Sequence, residues 1–383
     1  MRFVGDSEGR ENTTSQCLCS FPRSSSCSSG IFEDEGLNVT KIITLYNHKG
    51  GVSKTTTTYH LAYAFAEAMG MKVLVVDADP QCNLTELCLS RIIDALDVKE
   101  EEGETTTLPG SSVKDALWPR LEGERANVDV DGIVLTQFDE ELPLFIFRGD
   151  IGLSEAEDRL SYAYSQRMTS DMHQKRTYVA VNDMLRRLGA LHGFDVILVD
   201  VGPSAAALTR SFFLACDRFL VPVAPDRFNY QAIGSLSHIL NKWITEHMQV
   251  VPDFQKLSLN VPTRAPVLRG IVMQRFQRHK GVAKAGFKVW IDRVRQRAVE
   301  ELIPSLITAS GAEGVAKHCL TEPLCAEIHD FASLAPMMLS NSKPVWRLTK
   351  EDTEWQGHVW EQRSAAMVEF RDRFFALAKL AIE

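Results

Sequence analysis

Asn47-His48-Lys49-Gly50-Gly51-Val52-Ser53-Lys54-Thr55-Thr56 is the stretch that decides the fold. It follows the apolar run Lys41 to Tyr46 and precedes a helical-looking segment, Thr57 to Ala68. A glycine-rich turn between strand and helix lets the backbone approach anion oxygens, aims successive N–H groups at them, and leaves Lys54 to neutralise charge. Such a loop grips the outer phosphates of a nucleotide, with the Thr55 hydroxyl placed for Mg²⁺. Lys49 has no role in that ordinary arrangement. Two further apolar runs carry carboxylates at their ends: Val73 to Val76 leads into Asp77, Asp79, Pro80 and Gln81, and Phe194 to Val199 leads into Asp200, Pro203 and Ser204. Continuous apolar runs of this length read as buried parallel strands, whose C-terminal ends face ligand in open α/β sheets. One such Asp is equally a helix N-cap. Three segments in this order describe a site.

Lys-Gly-Gly-x-x-Lys-Thr resembles the deviant Walker A loop of the ParA/MinD family of ATPases. The Asp-x-Asp-Pro-Gln and Asp-x-x-Pro-Ser segments resemble that family's other two signatures, and the last is its Walker B strand. Core strands at Arg218 to Val223 and Arg269 to Met273, then Leu334-Ala335-Pro336 and Lys343-Pro344-Val345, extend the likeness over roughly Lys41 to Ala381. The resemblance implies an α/β fold, a doubly wound and mostly parallel sheet with helices on both faces. It also implies ATP and Mg²⁺ as ligands and slow, partner-stimulated ATP hydrolysis. Lys49, Gly50, Gly51, Val52, Ser53, Lys54, Thr55 and Thr56 would surround the phosphates. Thr55, Asp77 and Asp200 would hold Mg²⁺, Asp79 would direct the attacking water, and Met273 and Gln274 would lie at the adenine. Lys49 would reach across the interface of an ATP-dependent homodimer. By the same resemblance the protein is cytoplasmic and nucleoid-associated, binds DNA nonspecifically, and works with a ParB-like DNA-binding or adaptor protein in plasmid or chromosome partitioning or cargo positioning.

The chain departs from the family pattern at three places. Ser53 replaces the usual glycine before the loop lysine, where a positive φ would cost a side chain about 1 kcal/mol or more. Cys82 stands where glycine commonly follows Asp-Pro-Gln, and Gly202 where a proline is frequent. None removes a charge the chemistry needs.

The 383 residues, 45% of them hydrophobic, suffice for a large core. The alternation of apolar runs and amphipathic stretches from Lys41 to about Gln274 is the βαβ rhythm of a doubly wound sheet, and with the resemblance it implies one ATPase domain over 39–383. Residues 1–38, with serines clustered between Ser24 and Ser29, read as a disordered tail without the apolar centre of a signal peptide, and translation starting near Val39 is a companion hypothesis. The tail is too short for the helix-turn-helix region of larger plasmid partition ATPases. About 97–141, which opens with the acidic run Lys99 to Glu104, reads as an irregular surface insertion with short structured pieces. A terminal helix is expected over about 353–382, with Met367, Phe370, Phe374, Leu377 and Ala381 on one stripe.

The net charge is −8, yet ten basic residues lie between Arg264 and Arg297 with Asp292 the only acid. Arg275, Arg278, Lys280, Lys284, Lys288, Arg293, Arg295 and Arg297 of that strip are the expected DNA contacts, on the outer face of a helix that turns Val289, Ile291, Val294 and Ala298 inward. Two other readings belong to different classes. A membrane-cycling ATPase like MinD would use the terminal helix, although its polar face mixes acids with bases and membrane is not the expected partner. A metal or iron–sulfur delivery ATPase would use Cys17 and Cys19, or His318, Cys319, Cys325 and His329, although no Cys-x-x-Cys is present.

Overall fold

The apolar runs become strands because each buries both faces, and successive residues are dealt alternately to two cores. Ile42, Leu74, Val76, Ile197, Val199 and Val221 face one core, while Ile43, Leu45, Val73, Val75, Val196 and Leu198 face the other. The structure is a computed structural model that describes residues 39–279 and 282–383. Its strands are β1 (Lys41–Leu45), β2 (Val73–Ala78), β3 (Thr136–Gln137), β4 (Leu144–Phe147), β5 (Val196–Val201), β6 (Arg218–Val223), β7 (Val267–Gln274), β8 (Arg278–His279), β9 (Val282–Ala283) and β10 (Leu324–Ile328). Eight form one sheet in the order β10-β7-β6-β1-β5-β2-β4-β3, and every pairing is parallel except β3 with β4. β8 and β9 make a separate antiparallel pair.

Twelve helices are described: α1 (Lys54–Met69), α2 (Asn83–Glu101), α3 (Val113–Leu121), α4 (Ala156–Ser165), α5 (Met172–His192), α6 (Ala207–Leu214), α7 (Arg227–Lys256), α8 (Ala285–Arg297), α9 (Ile303–Ser310), α10 (Leu334–Asn341), α11 (Lys350–Thr353) and α12 (Gly357–Ile382). Helices α3 to α9 cover one face, and α1, α2 and α10 to α12 the other. This is the doubly wound parallel sheet expected from the motifs.

α1 is buried nearly all round because it lies between the sheet and α12. His60 ties it there: its Nδ1 donates to the Thr56 carbonyl (2.6 Å), its Nε2 accepts the Val345 N–H (3.2 Å), and its ring stacks on Phe374 at 4.8 Å. Burial lowers its pKa to about 4, so the ring stays neutral. The stripe Met367, Phe370, Phe374, Leu377 and Ala381 is buried in this core rather than offered to a bilayer. Among the described residues no helix is long and apolar enough to cross a membrane.

The polar stretch about 97–141 is more regular than its composition implies. α2 runs on to Glu101, Ser112 caps α3 by accepting the Asp115 N–H (3.0 Å), and β3 adds an antiparallel edge. Val113, Leu117, Leu121, Val128, Val130 and Ile133 enter the core, spaced among charged neighbours that hide the pattern. On α8, Ile291 and Val294 turn inward as expected, but Val289 is half exposed. The expected tail, 1–38, lies outside the described residues.

Candidate nucleotide-binding site

β1, β2 and β5 end at one level: Asp200 pairs in register with Leu45 on one side and Asp77 on the other. The loop after β1 therefore opens beside two carboxylate-bearing loops. Asn47, fully buried, fixes its start by donating to the Pro222 carbonyl of β6 (2.8 Å) and accepting the Lys49 N–H (3.0 Å). The Lys54 ammonium bridges the loop, donating to the carbonyls of Asn47 (3.3 Å) and Lys49 (3.4 Å). Burial lowers its pKa, while Asp200 and Asp79 hold it up. The Lys49 ammonium is half-buried and makes no hydrogen bond or ion pair among the described residues.

The three acids differ in environment. Asp77 is saturated: its Oδ2 accepts the Thr85 N–H (2.8 Å) and hydroxyl (2.7 Å), and its Oδ1 the Asp79 N–H (3.3 Å). The Thr85 oxygen in turn accepts the Gly149 N–H (2.8 Å), linking β2, α2 and the end of β4. Burial raises the Asp77 pKa to about 6 against those bonds. Asp79 accepts the Gln81 N–H (3.1 Å), and a Cβ on Gly202 would sit 3.1 Å from the same oxygen. Asp200 is fully buried with neither oxygen hydrogen-bonded in ordinary geometry. Burial, then the Asp77 charge, pushes its pKa up to about 8, against the opposing pull of the Thr55 hydroxyl and Lys54.

An orphaned carboxylate of that kind calls for a cation. Asp200 with Thr55 fits Mg²⁺, with Asp77 set behind it. Among the described residues no cluster of three or more His, Cys, Asp or Glu forms a metal cage. Mg²⁺ at a phosphate site needs none, since it keeps several waters and takes one or two protein ligands plus phosphate oxygens.

Because the folded chain holds a proton on Asp200 that the unfolded chain releases, this group's contribution to stability falls as pH rises from the ordinary carboxylate range to about 8. Asp200→Asn does not titrate. Its melting temperature without nucleotide is therefore expected to gain on the wild type between pH 5 and pH 8, while Mg²⁺-dependent ATP binding is lost. A temperature gap constant across that range contradicts the assignment.

Ser53 adopts φ +59°, in the left-handed region expected of the glycine it replaces, and Cys82 also lies there at φ +55°. Neither side chain caps the helix it precedes. Left-handed backbone costs a non-glycine residue about 1–2 kcal/mol. Ser53→Gly is expected to tighten nucleotide binding or quicken hydrolysis about fivefold, the equivalent of about 1 kcal/mol. Unchanged affinity and rate would show that the loop carries no strain relevant to function.

The predicted adenine residues gain no support from their placement. Met273 is fully buried in the core, and the Gln274 amide donates to the Thr57 hydroxyl (2.6 Å), bracing the first turn of α1. The basic strip does not form one face. Lys284 and Lys288 are exposed, Lys284 bonding Gln277 (2.6 Å). Arg295 pairs with Glu322 (3.1 Å) and Arg297 with Glu301 (2.9 Å). Arg293 stacks over Trp290 (4.8 Å), and Arg293 and Arg297 turn toward α7, where they line a cavity of about 670 Å³ with Arg227, Tyr230 and Trp290. Arg275 reaches the phosphate loop instead, donating to the Gly51 carbonyl. The Arg278 side chain and Lys280 lie outside the described residues.

Asn47 and Thr85 brace the site, a role that motif reading did not give them. Asn47 opens the loop itself and Thr85 lies on α2 just past Gln81, and their partners, Pro222 and Asp77, are visible only in three dimensions. Of the candidate metal cluster, His318 bonds the Arg269 carbonyl (2.8 Å), and the thiols of Cys319 and Cys325 donate to the carbonyls of Leu268 and Ile271. Cys17 and Cys19 lie outside the described residues.

Residues 40–251, more than half of the chain, match the AAA domain family model, and this span holds the loop and all three carboxylates. The chain belongs to the ParA/MinD-like P-loop ATPases. Among its relatives, the chromosome partitioning protein ParA of Caulobacter vibrioides is 26% identical over 308 residues, covering 80% of this chain and 96% of that one. The sporulation initiation inhibitor protein Soj of Bacillus subtilis is 31% identical over 201 residues, 52% of this chain and 64% of its own length. Two solved structures share the fold: protein DIP2308 of Corynebacterium diphtheriae (TM-score 0.61, 21% identity, 79% of this chain and 97% of that chain) and apo McdA of Cyanothece (0.54, 17%, 90% and 100%). ATPase activity comes with membership of this ParA/MinD-like family.

Proposed function

We propose that this ParA-like chain is an ATP-timed switch for attachment to DNA, acting in the partition of a plasmid or chromosome or the positioning of a cargo. The observation that carries the reading is Lys49: a second loop lysine, positioned by its backbone and left without a partner, beside a site that already has its phosphate cation in Lys54. Lys54 leaves the two carbonyls for the β- and γ-phosphates, joined there by the loop N–H groups. Thr55 and Asp200 would hold Mg²⁺, which would neutralise phosphate charge when bound, and Asp77, fixed by Thr85 and the Asp79 N–H, stands in register beside Asp200. Asp79 accepts a hydrogen bond from the attacking water and directs it. Lys49 of one protomer reaches the transferring phosphoryl group bound by its partner, where charge spread over the oxygens rewards another cation.

ATP thus closes a homodimer, and the dimer presents two sets of the exposed bases, Lys284 and Lys288 among them, to DNA phosphates. Hydrolysis, stimulated by a ParB-like or adaptor protein, separates the pair and releases DNA. The name of the Caulobacter relative, a chromosome partitioning protein, supports partition as the setting, and the cytoplasm and nucleoid are the proposed place. Steady-state phosphate release by the purified chain tests the enzymology. Slow hydrolysis that quickens with duplex DNA and a partner protein is expected, and a rate equal to that of a Lys54→Ala control contradicts the proposal.

A further inference from the structure

Arg275 was grouped with the DNA contacts on charge alone, but its placement assigns it elsewhere. It follows directly on β7 and is locked from both sides: Gln274 is buried against Thr57, and Phe276 is fully buried with its carbonyl accepting the Asp330 N–H (3.0 Å). Between these anchors Arg275 takes φ +57°, a left-handed conformation that L side chains resist. Non-glycine residues held this way cluster at ligand clamps and active sites, where the surrounding structure imposes the conformation. The side chain is exposed, yet no carboxylate among the described residues pairs with it. Its guanidinium donates instead to the Gly51 carbonyl, in the middle of the phosphate loop. Its Nη1 lies 3.1 Å from where a Cβ on Gly51 would stand, so the close approach depends on glycine there. Gly51 itself has φ +71°.

A guanidinium presents five N–H donors in a planar fork matched to phosphate oxygens, and among the described residues only one N–H is engaged here. We propose that Arg275 is a second cation of the nucleotide site, supplied in cis. It clasps the Gly51 carbonyl, and with ATP bound its remaining donors meet an outer phosphate. The inference rests on the nucleotide reading of the loop and deepens it. It separates two tasks by chain: Arg275 stabilises phosphate within its own protomer, and Lys49 across the dimer.

The test uses the full chain, with Arg275→Ala and Arg275→Lys, and reads the dissociation constants for ATP and ADP, the hydrolysis rate and the salt slope of duplex-DNA binding at saturating ATP. Arg275→Ala is expected to weaken ATP about tenfold or more, with a smaller effect on ADP, and to keep both the melting temperature and the salt slope. Arg275→Lys should recover part of the ATP affinity, because it keeps the charge and loses the fork. A merely structural role would move ATP and ADP together with the melting temperature. Wild-type ATP affinity in Arg275→Ala, with a salt slope lowered by about one, would return the residue to the DNA surface and overturn the inference. A wild-type chain that binds no ATP would remove the nucleotide reading as well, so the two failures are told apart.

Discussion

Lys54→Ala abolishes measurable ATP binding while the chain stays folded. Lys54 is buried, and the charges of Asp200 and Asp79 hold its pKa up, so nothing else on the loop replaces it within one protomer. It contributes charge-assisted bonds to two phosphates, each worth about 1.5–3 kcal/mol, which together amount to about 100-fold or more in affinity. Its loss is expected to cost the fold little by comparison, because its partners there are two loop carbonyls at 3.3 and 3.4 Å. Asp200 then has less to oppose its burial and holds its proton more firmly. Titration calorimetry in Mg²⁺ checks this, and a dissociation constant within tenfold of the wild type would contradict the phosphate role.

Lys49→Ala separates binding from assembly. The Lys49 N–H is anchored on Asn47, so the backbone keeps its course when the side chain is cut, and the side chain has no partner to leave unpaired. ATP affinity should stay within a few-fold of the wild type, dimerisation with a slowly hydrolysed ATP analogue should disappear, and hydrolysis should fall by about 10³ or more, as on removing a trans-acting cation from phosphoryl transfer. Light scattering coupled to size exclusion checks the assembly. A Lys49→Ala dimer of normal strength would remove the trans-lysine proposal and leave Arg275 as the additional cation to weigh.

The nucleotide site was legible because its parts are local in sequence. Loop, strand ends and carboxylates follow one another, and the sheet order merely brings the ends of β1, β2 and β5 level. The left-handed turn at Ser53 was legible for the same reason, since it lies inside a motif whose glycine it replaces, whereas the one at Cys82 was noted only as a departure from the pattern. What could not be read depends on partners distant in sequence. Arg295 finds Glu322, Arg275 finds Gly51 and Gln274 finds Thr57, and no spacing rule foretells such pairs. Consecutive bases on a helix also point in different directions at about 100° per residue, so a strip in sequence becomes several faces in space. About 97–141 misled for another reason: its core residues are interspersed with acids and glycines, and burial there is decided by the edge of the sheet rather than by periodicity.

The central claim is that nucleotide state controls attachment to DNA. Its most direct test is the affinity of the purified chain for nonspecific duplex DNA with ATP, with ADP and without nucleotide, across a salt series. Tight binding with ATP alone, weakening linearly in log salt, is the predicted result. Affinity that is the same in all three states, or absent in all of them while ATP binding is demonstrated, would contradict it.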